Sequence, residues 1–184
     1  YEPRYVDLDK AEQRSPEYLA VNPGGYVPAL VAEDGQILYE SAAIVLYLCD
    51  RHPQAALAPA PAEPARGLFY RSLFFLTNTV QEAYKRLYYP QRYSTDEGDA
   101  PKIRAQAERH LRERWAIVDR TLQAAGPYHL RDRYSAADLY MLMLATWYEP
   151  PQALLEEFRN VRRCYERVAE RPAVRRVMDA HEGD

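Results

Sequence analysis

The chain has 184 residues, is 47% apolar and carries a formal charge of −3 with two cysteines. That length buries well over half of the unfolded surface, enough for one domain or two small ones. Lysines and arginines are interspersed with acids, which gives no electrostatic grip on nucleic acid or anionic lipid, and no apolar run reaches membrane-spanning length. Cys49 and Cys164 are too few for a disulfide framework and lie in no metal-ligand spacing. Neither nucleic acid, membrane nor metal is therefore expected as a partner, and the cysteine usage points to a reducing, cytoplasmic compartment.

In chain order, "RYVDL" (4–8) alternates like a short strand, and "SPEYLAVNPGG" (15–25) reads as a brief helix closed by Asn-Pro-Gly-Gly. "YVPALVA" (26–32), "EDGQ" (33–36) and "ILYE" (37–40) form two apolar runs around an Asp-Gly turn, a hairpin signal. "ESAAIVLYLCDRHP" (40–53) has helical length and period and stops at Pro53. One residue contradicts its surroundings. Pro28 stands near the front of a strand, where a ladder N–H is expected.

Residues 53–63 open "PQAALAPAPAEP", whose prolines and alanines suit an extended linker. The expected organisation is a mixed domain over 1–52, a linker over 53–63 and an all-helical domain over 64–184. Helices are expected over 64–92, 100–125, 135–148, 151–158, 160–171 and 172–181. Ile103, Ala107, Leu111, Trp115, Val118 and Leu122 recur at helical spacing. In "YSAADL", Ser135 is a natural N-cap with Asp138 three residues on, and Tyr134 and Leu139 occupy hydrophobic-staple positions. The following "LYMLMLATWY" is apolar all round, so this helix should be buried at the centre of its domain.

Three of these stretches, "NPGGYVPAL", "YESAAI" and "YSAADLYM", resemble in order and spacing the Val-Pro turn, the Glu-Ser pair and the helix-six capping box of cytosolic glutathione S-transferases of bacterial type. The resemblance spans nearly the whole chain. It implies an α/β plus all-α glutathione transferase fold: a partial thioredoxin-like N-terminal domain followed by an all-helical C-terminal domain. It also implies a detoxifying transferase with glutathione as substrate, a small electrophile as acceptor and a homodimeric assembly. A non-catalytic interaction module of the same fold is the alternative.

The resemblance also distributes roles. A cis Val27-Pro28 bond would present the Val27 N–H and C=O outward, to pair with the cysteinyl backbone of glutathione as a strand would. A trans proline opening an edge strand is the competing reading. Glu40 and Ser41, at a helix start that favours anions, would hold the glutamyl amine and carboxylate, although a serine there also serves simply as a cap. Gln13 and Arg14 are candidates for the glycyl carboxylate, against a solvated surface arginine. Tyr26 stands where many relatives have glutamine or lysine, and Leu130-Arg131-Asp132 where they often read Leu-Gly-Asp.

Two adjacent stripes on the first long helix, Phe69 to Leu87 and Tyr70 to Tyr88, are too wide for one-sided burial. The resemblance places a second subunit and an acceptor pocket there, with Tyr84, Tyr88, Tyr89 and Tyr93 near the pocket. An interior bundle helix is the other reading. Catalysis in the family ionises the glutathione thiol through a tyrosine, serine or cysteine at the end of the first strand, a unit not found here, so the catalytic residue is unknown. The sequence therefore leads us to expect that the encoded protein continues upstream of Tyr1 by about two dozen residues, one strand plus one helix. Without them Leu30, Ile37 and Leu48 should face solvent.

Overall fold

The structure, a computed structural model, describes residues 1–181, so positions 182–184 of the expected helical domain lie outside the described residues. It divides into two compact units, Tyr1–His52 and Pro53 onward.

In the first unit, a 3₁₀ turn over Glu12–Arg14 leads into α1 (Pro16–Val21). Ser15 caps α1 by accepting from the Tyr18 N–H at 3.2 Å, and proline takes the first helical position, where no N–H is needed. Strands β1 (Ala29–Val31) and β2 (Ile37–Tyr39) pair antiparallel, with Ala29 opposite Tyr39 and Val31 opposite Ile37. Their turn is closed by Ala32 N–H to Gln36 O at 2.8 Å, with Gly35 at φ 83°. This is the Asp-Gly hairpin expected from the sequence. Helix α2 (Ser41–Arg51) follows.

Residues 4–8 are not a strand: the chain there is irregular and largely exposed. Alternation favours an extended chain, but a strand needs a hydrogen-bonded neighbour, and among the described residues none runs beside it. Ile37 and Leu48 are exposed and Leu30 is half-buried.

The second unit is helical. Its helices are α3 (Ala65–Phe75), α4 (Gln81–Tyr88), α5 (Ala100–Ala125), α6 (Ala136–Thr146), α7 (Pro151–Glu157), α8 (Arg159–Ala169) and α9 (Pro172–His181). A π-helical turn over Leu76–Val80 joins α3 to α4, a break that apolar spacing does not reveal. Phe69, Leu73, Leu76 and Val80 pack into a core with Leu111, Trp115 and Leu122 of α5 and Met141 and Leu144 of α6, all essentially inaccessible. Helix α6 is the buried centre, as its all-round apolar sequence requires. The α5 carboxylate of Asp119 accepts from the backbone N–H of Asn160 (2.7 Å) and Val161 (3.1 Å), tying the start of α8 to α5.

The Pro-rich stretch 53–63 is not a free extended linker. Its carbonyls accept from the helical unit: Leu57 O from the Ala136 N–H (2.8 Å), Ala58 O from Arg133 (2.9 Å) and Pro59 O from Arg66 (2.7 Å). Prolines lack donors but keep their carbonyls, and these make such a segment a good strap for buried or half-buried arginines.

Candidate functional site

In the first unit, the Asn-Pro-Gly-Gly turn is wound tightly about one carbonyl. Asn22, buried, donates from Nδ2 to Tyr26 O at 2.7 Å and accepts the Gly24 N–H at 3.0 Å. The Tyr18 hydroxyl donates to the same Tyr26 O at 2.7 Å. Gly25 sits at φ 63°, and a Cβ there would come within 2.9 Å of Gln13 O and 2.7 Å of the Arg14 guanidinium. Only glycine fits. Two donors thus hold the peptide that precedes Val27, and the sequence reading singled out neither Tyr18 nor Asn22. The signal was present in Asn22, a turn residue that proved to be buried.

The Val27-Pro28 bond is cis. Val27 is exposed and lies outside the ladder, which begins at Ala29, and its backbone makes no hydrogen bond among the described residues. Arg14 does not stand free: it donates to Gly24 O at 3.2 Å and lies over the Tyr26 ring at 5.3 Å. Tyr26 is therefore a shelf for Arg14. Gln13 is half-buried, and its side-chain oxygen has no donor among the described residues.

Glu40 adopts φ 70°, ψ 110°, a left-sided backbone that costs a non-glycine residue on the order of 1–3 kcal/mol. It is the N-cap of α2 and makes no side-chain capping bond, while Ser41 is the first helical residue. The cap reading of Ser41 therefore shifts by one residue, to a glutamate that caps nothing with its side chain.

In the second unit the four candidate tyrosines separate into two groups. Tyr84 and Tyr88 stack in parallel, with ring centroids 6.1 Å apart, and Trp147 meets Tyr84 edge-on at 5.9 Å. Tyr84 itself is a core residue, 1% exposed, whose hydroxyl accepts from Trp115 Nε1 at 3.1 Å. It was expected at a pocket wall, but its helix turns it inward and Tyr88 carries the exposed ring. The Tyr88 hydroxyl donates to Trp147 O and faces Glu149 Oε1 at 3.3 Å. Burial, reinforced by the Glu149 carboxylate, pushes the Tyr88 phenol up to about 12, and burial raises Tyr84 further. These hydroxyls stay protonated at neutral pH. Tyr89 and Tyr93 belong elsewhere: Arg92 covers Tyr89 at 4.1 Å, and Arg86 lies 4.9 Å over Tyr93, whose hydroxyl donates to Glu82 at 3.1 Å. The sequence reading missed Trp147, because the apolar run was assigned whole to a buried helix, and Glu149, which stands just beyond that run.

His129, Asp138 and Cys164 form a buried group whose ligand atoms lie within 4.8 Å of one another. Asp138 Oδ2 accepts from the Ser135 N–H (2.8 Å) and hydroxyl (2.9 Å). Its Oδ1 accepts from the His129 N–H (2.9 Å), with His129 Nδ1 at 2.9 Å and Cys164 Sγ at 3.6 Å. The carboxylate is saturated by donors, which makes this the anchor of the capping box. Burial, with Asp138 beside it, raises the Cys164 thiol far above its ordinary value, so it is not a reactive thiolate.

Residues 1–56 match the family described as glutathione S-transferase, N-terminal domain, and residues 79–180 that described as glutathione S-transferase, C-terminal domain. The chain belongs to the glutathione S-transferase family. Glutathione S-transferase GstA of Escherichia coli O157:H7 is 31% identical over 95% of this chain and 84% of its own. A glutathione transferase homologue from Sulfitobacter, solved with bound glutathione, is 28% identical and superposes with a TM-score of 0.87 over 98% of this chain and 86% of its own. BphK, a bacterial glutathione S-transferase solved as a ternary complex, is 30% identical with a TM-score of 0.81 over 95% of this chain and 84% of its own. The glutathione S-transferase fold is here a small antiparallel hairpin with helices, and a separate helical unit built on α6. Among the described residues no helix is long and apolar enough to cross a membrane.

Proposed function

We propose that this glutathione S-transferase binds glutathione on the first unit and conjugates its thiol to a small electrophile. One observation carries the reading. The Val27 backbone is exposed, unpaired among the described residues, and set by a carbonyl held by two side chains, Tyr18 and Asn22. An exposed, pre-oriented amide and carbonyl suit a peptide ligand that adds as a strand. Support comes from the strained Glu40, since such backbone persists where a site requires it. Glu40 and Ser41 would take the charged glutamyl end. At the glycyl end Gln13 is the uncommitted side chain, while Arg14 acts through the turn it braces. The Sulfitobacter homologue carries bound glutathione.

Conjugation requires the thiolate, a few per cent of a thiol with pKa near 8.5 at neutral pH. Tyr88 and Tyr84 hold their protons and spend their hydroxyls on neighbours, so neither is assigned as activator. The exposed rings of Tyr88 and Trp147, with Tyr84 stacked behind Tyr88, offer an aromatic shelf for an acceptor. Leu68, Tyr70 and Phe74 are exposed on α3 and supply the apolar face for a homodimer in the cytoplasm. A monomer by sedimentation at micromolar concentration would contradict that assembly.

The test is titration calorimetry with glutathione. Ser41→Ala should bind about 1–3 kcal/mol more weakly, as loss of a hydrogen bond to a charged group requires, with melting unchanged. Equal affinities would leave Ser41 as the first residue of a helix and nothing more. A protein retained on immobilised glutathione that conjugates no electrophile would be the interaction module instead.

A further inference from the structure

The aromatic shelf of the second unit carries an acid without a counter-charge. Tyr88, at the end of α4, and Trp147, just after α6, are 37% and 38% exposed, so both rings keep an open face. The Tyr88 hydroxyl donates to Trp147 O and stands 3.3 Å from Glu149 Oε1. That contact places the carboxylate at the tip of the Tyr88 ring, two residues beyond Trp147. The cations of the neighbouring turns are directed elsewhere. Lys85 and Arg86 of α4 reach Glu82 at 3.6 and 3.4 Å, Arg92 lies over the Tyr89 ring, and Arg112 of α5 pairs with Glu157 at 2.6 Å. Glu149 makes no ion pair among the described residues. At Tyr148, between Trp147 and Glu149 in the chain, Glu157 and Glu108 add negative field and Arg112 opposes it.

We propose that Glu149 sets the charge selectivity of acceptor binding, so that the shelf takes neutral and cationic aromatic electrophiles and disfavours anionic ones. This rests on the reading of the chain as a glutathione-conjugating transferase and names the acceptor class for it. Two effects act in the same direction. The open faces of Tyr88 and Trp147 present the negative part of their ring quadrupoles, which favours a cation. The Glu149 carboxylate adds a full charge. A unit charge held about 7 Å from it in water feels an energy comparable to RT, favourable for a cation and unfavourable for an anion, and the two then differ about five- to tenfold in binding.

The test uses chloride displacement from a nitroaryl ring. The glutathione thiolate attacks the ring carbon, the C–S bond forms as C–Cl breaks, chloride leaves with its electron pair and the thiol proton passes to buffer. Three acceptors share that centre: 4-chloro-3-nitrobenzamides with an aminoethyl, hydroxyethyl or carboxyethyl tail on the amide nitrogen, alike in reactivity and different in charge at pH 7. With the full chain and saturating glutathione, kcat should be similar for all three. KM should rise about five- to tenfold from the cationic to the anionic acceptor, with the neutral one between. Salt at about 0.5 M should narrow that spread, because screening shortens the reach of the carboxylate. Glu149→Gln, which keeps an oxygen for the Tyr88 hydroxyl and removes the charge, should bring the three KM values within about twofold of one another. A wild-type protein without the KM preference, or a Glu149→Gln protein that retains it, would overturn the proposal. A change confined to kcat would too, because Glu149 would then act on the chemistry and not on selection. A protein that conjugates not even the neutral acceptor would refute the transferase reading itself and this proposal with it, which keeps the two failures apart.

Discussion

The two units are ordered by different forces. In the second, the largest fully buried side chains run from Trp115 and Tyr84 to Val118, all of that unit, whereas the first buries among its non-glycine side chains only Asn22, Ile44 and Cys49. Apolar area removed from water at roughly 25 cal/mol per Å² therefore stabilises the helices. The order of the first unit around Val27 rests on turns and on hydrogen bonds to single carbonyls. That contrast suits their proposed roles. A unit organised by its backbone can offer that backbone to a peptide ligand, while a packed core offers rings and side chains.

The largest expected effect strikes the second unit. Asp138→Ala would strip a buried carboxylate from the donors of Ser135 and His129, and should cost about 3–5 kcal/mol in denaturant unfolding. If the loss is under about 1 kcal/mol, the capping box is not what anchors α6.

Alkaline pH should separate the units next. Tyr84, Tyr88, Tyr134 and Tyr148 of the second unit are all raised from 10.0, with burial the first cause, and Tyr134, like Tyr88, reaches about 12. In the first unit burial raises Tyr18 in the same way. A raised phenol keeps its proton in the fold while the unfolded chain loses it. This stabilisation is complete below about pH 10 and is lost as pH rises toward 12. The melting temperature, read by fluorescence of Trp115 and Trp147, should fall steeply above pH 10. A profile flat to pH 11.5 would show that these rings are better hydrated than their packing indicates.

Asn22→Ala sharpens the comparison from the other side. It removes the donor to Tyr26 O and the acceptor for Gly24 N–H, and should weaken glutathione binding by about 1–2 kcal/mol while unfolding of the helices stays unchanged. Unaltered affinity, measured by calorimetry, would mean that Tyr18 alone orients the Val27 peptide.

The smallest effect should be a gain. Arg131 occupies φ 64° in the tight turn before α6, where side chains are strained. Arg131→Gly should stabilise the second unit by about 0.5–1 kcal/mol, relief of strain outweighing added chain entropy. A fall in denaturation midpoint would show that the arginine side chain matters more than its backbone.

Much of this was legible in the chain. The Asp-Gly hairpin, the helical spacing from Ile103 to Leu122 and the Ser135–Asp138 box are local patterns, each specified within a few residues, and the structure reproduces them. The cis bond at Val27-Pro28 belongs with them, because the residue type and its motif stand side by side. Residues 4–8 mark the limit, since alternation is a local property and pairing is not. Tertiary structure alone decided which side chains found partners. Arg14 went to Gly24 and Tyr26, the Pro-rich stretch became a strap for Arg66 and Arg133, and the four tyrosines divided between a core stack and an outer rim. Periodicity gives the face on which a residue stands. Whether its charge or hydroxyl is compensated depends on groups brought near from distant parts of the chain.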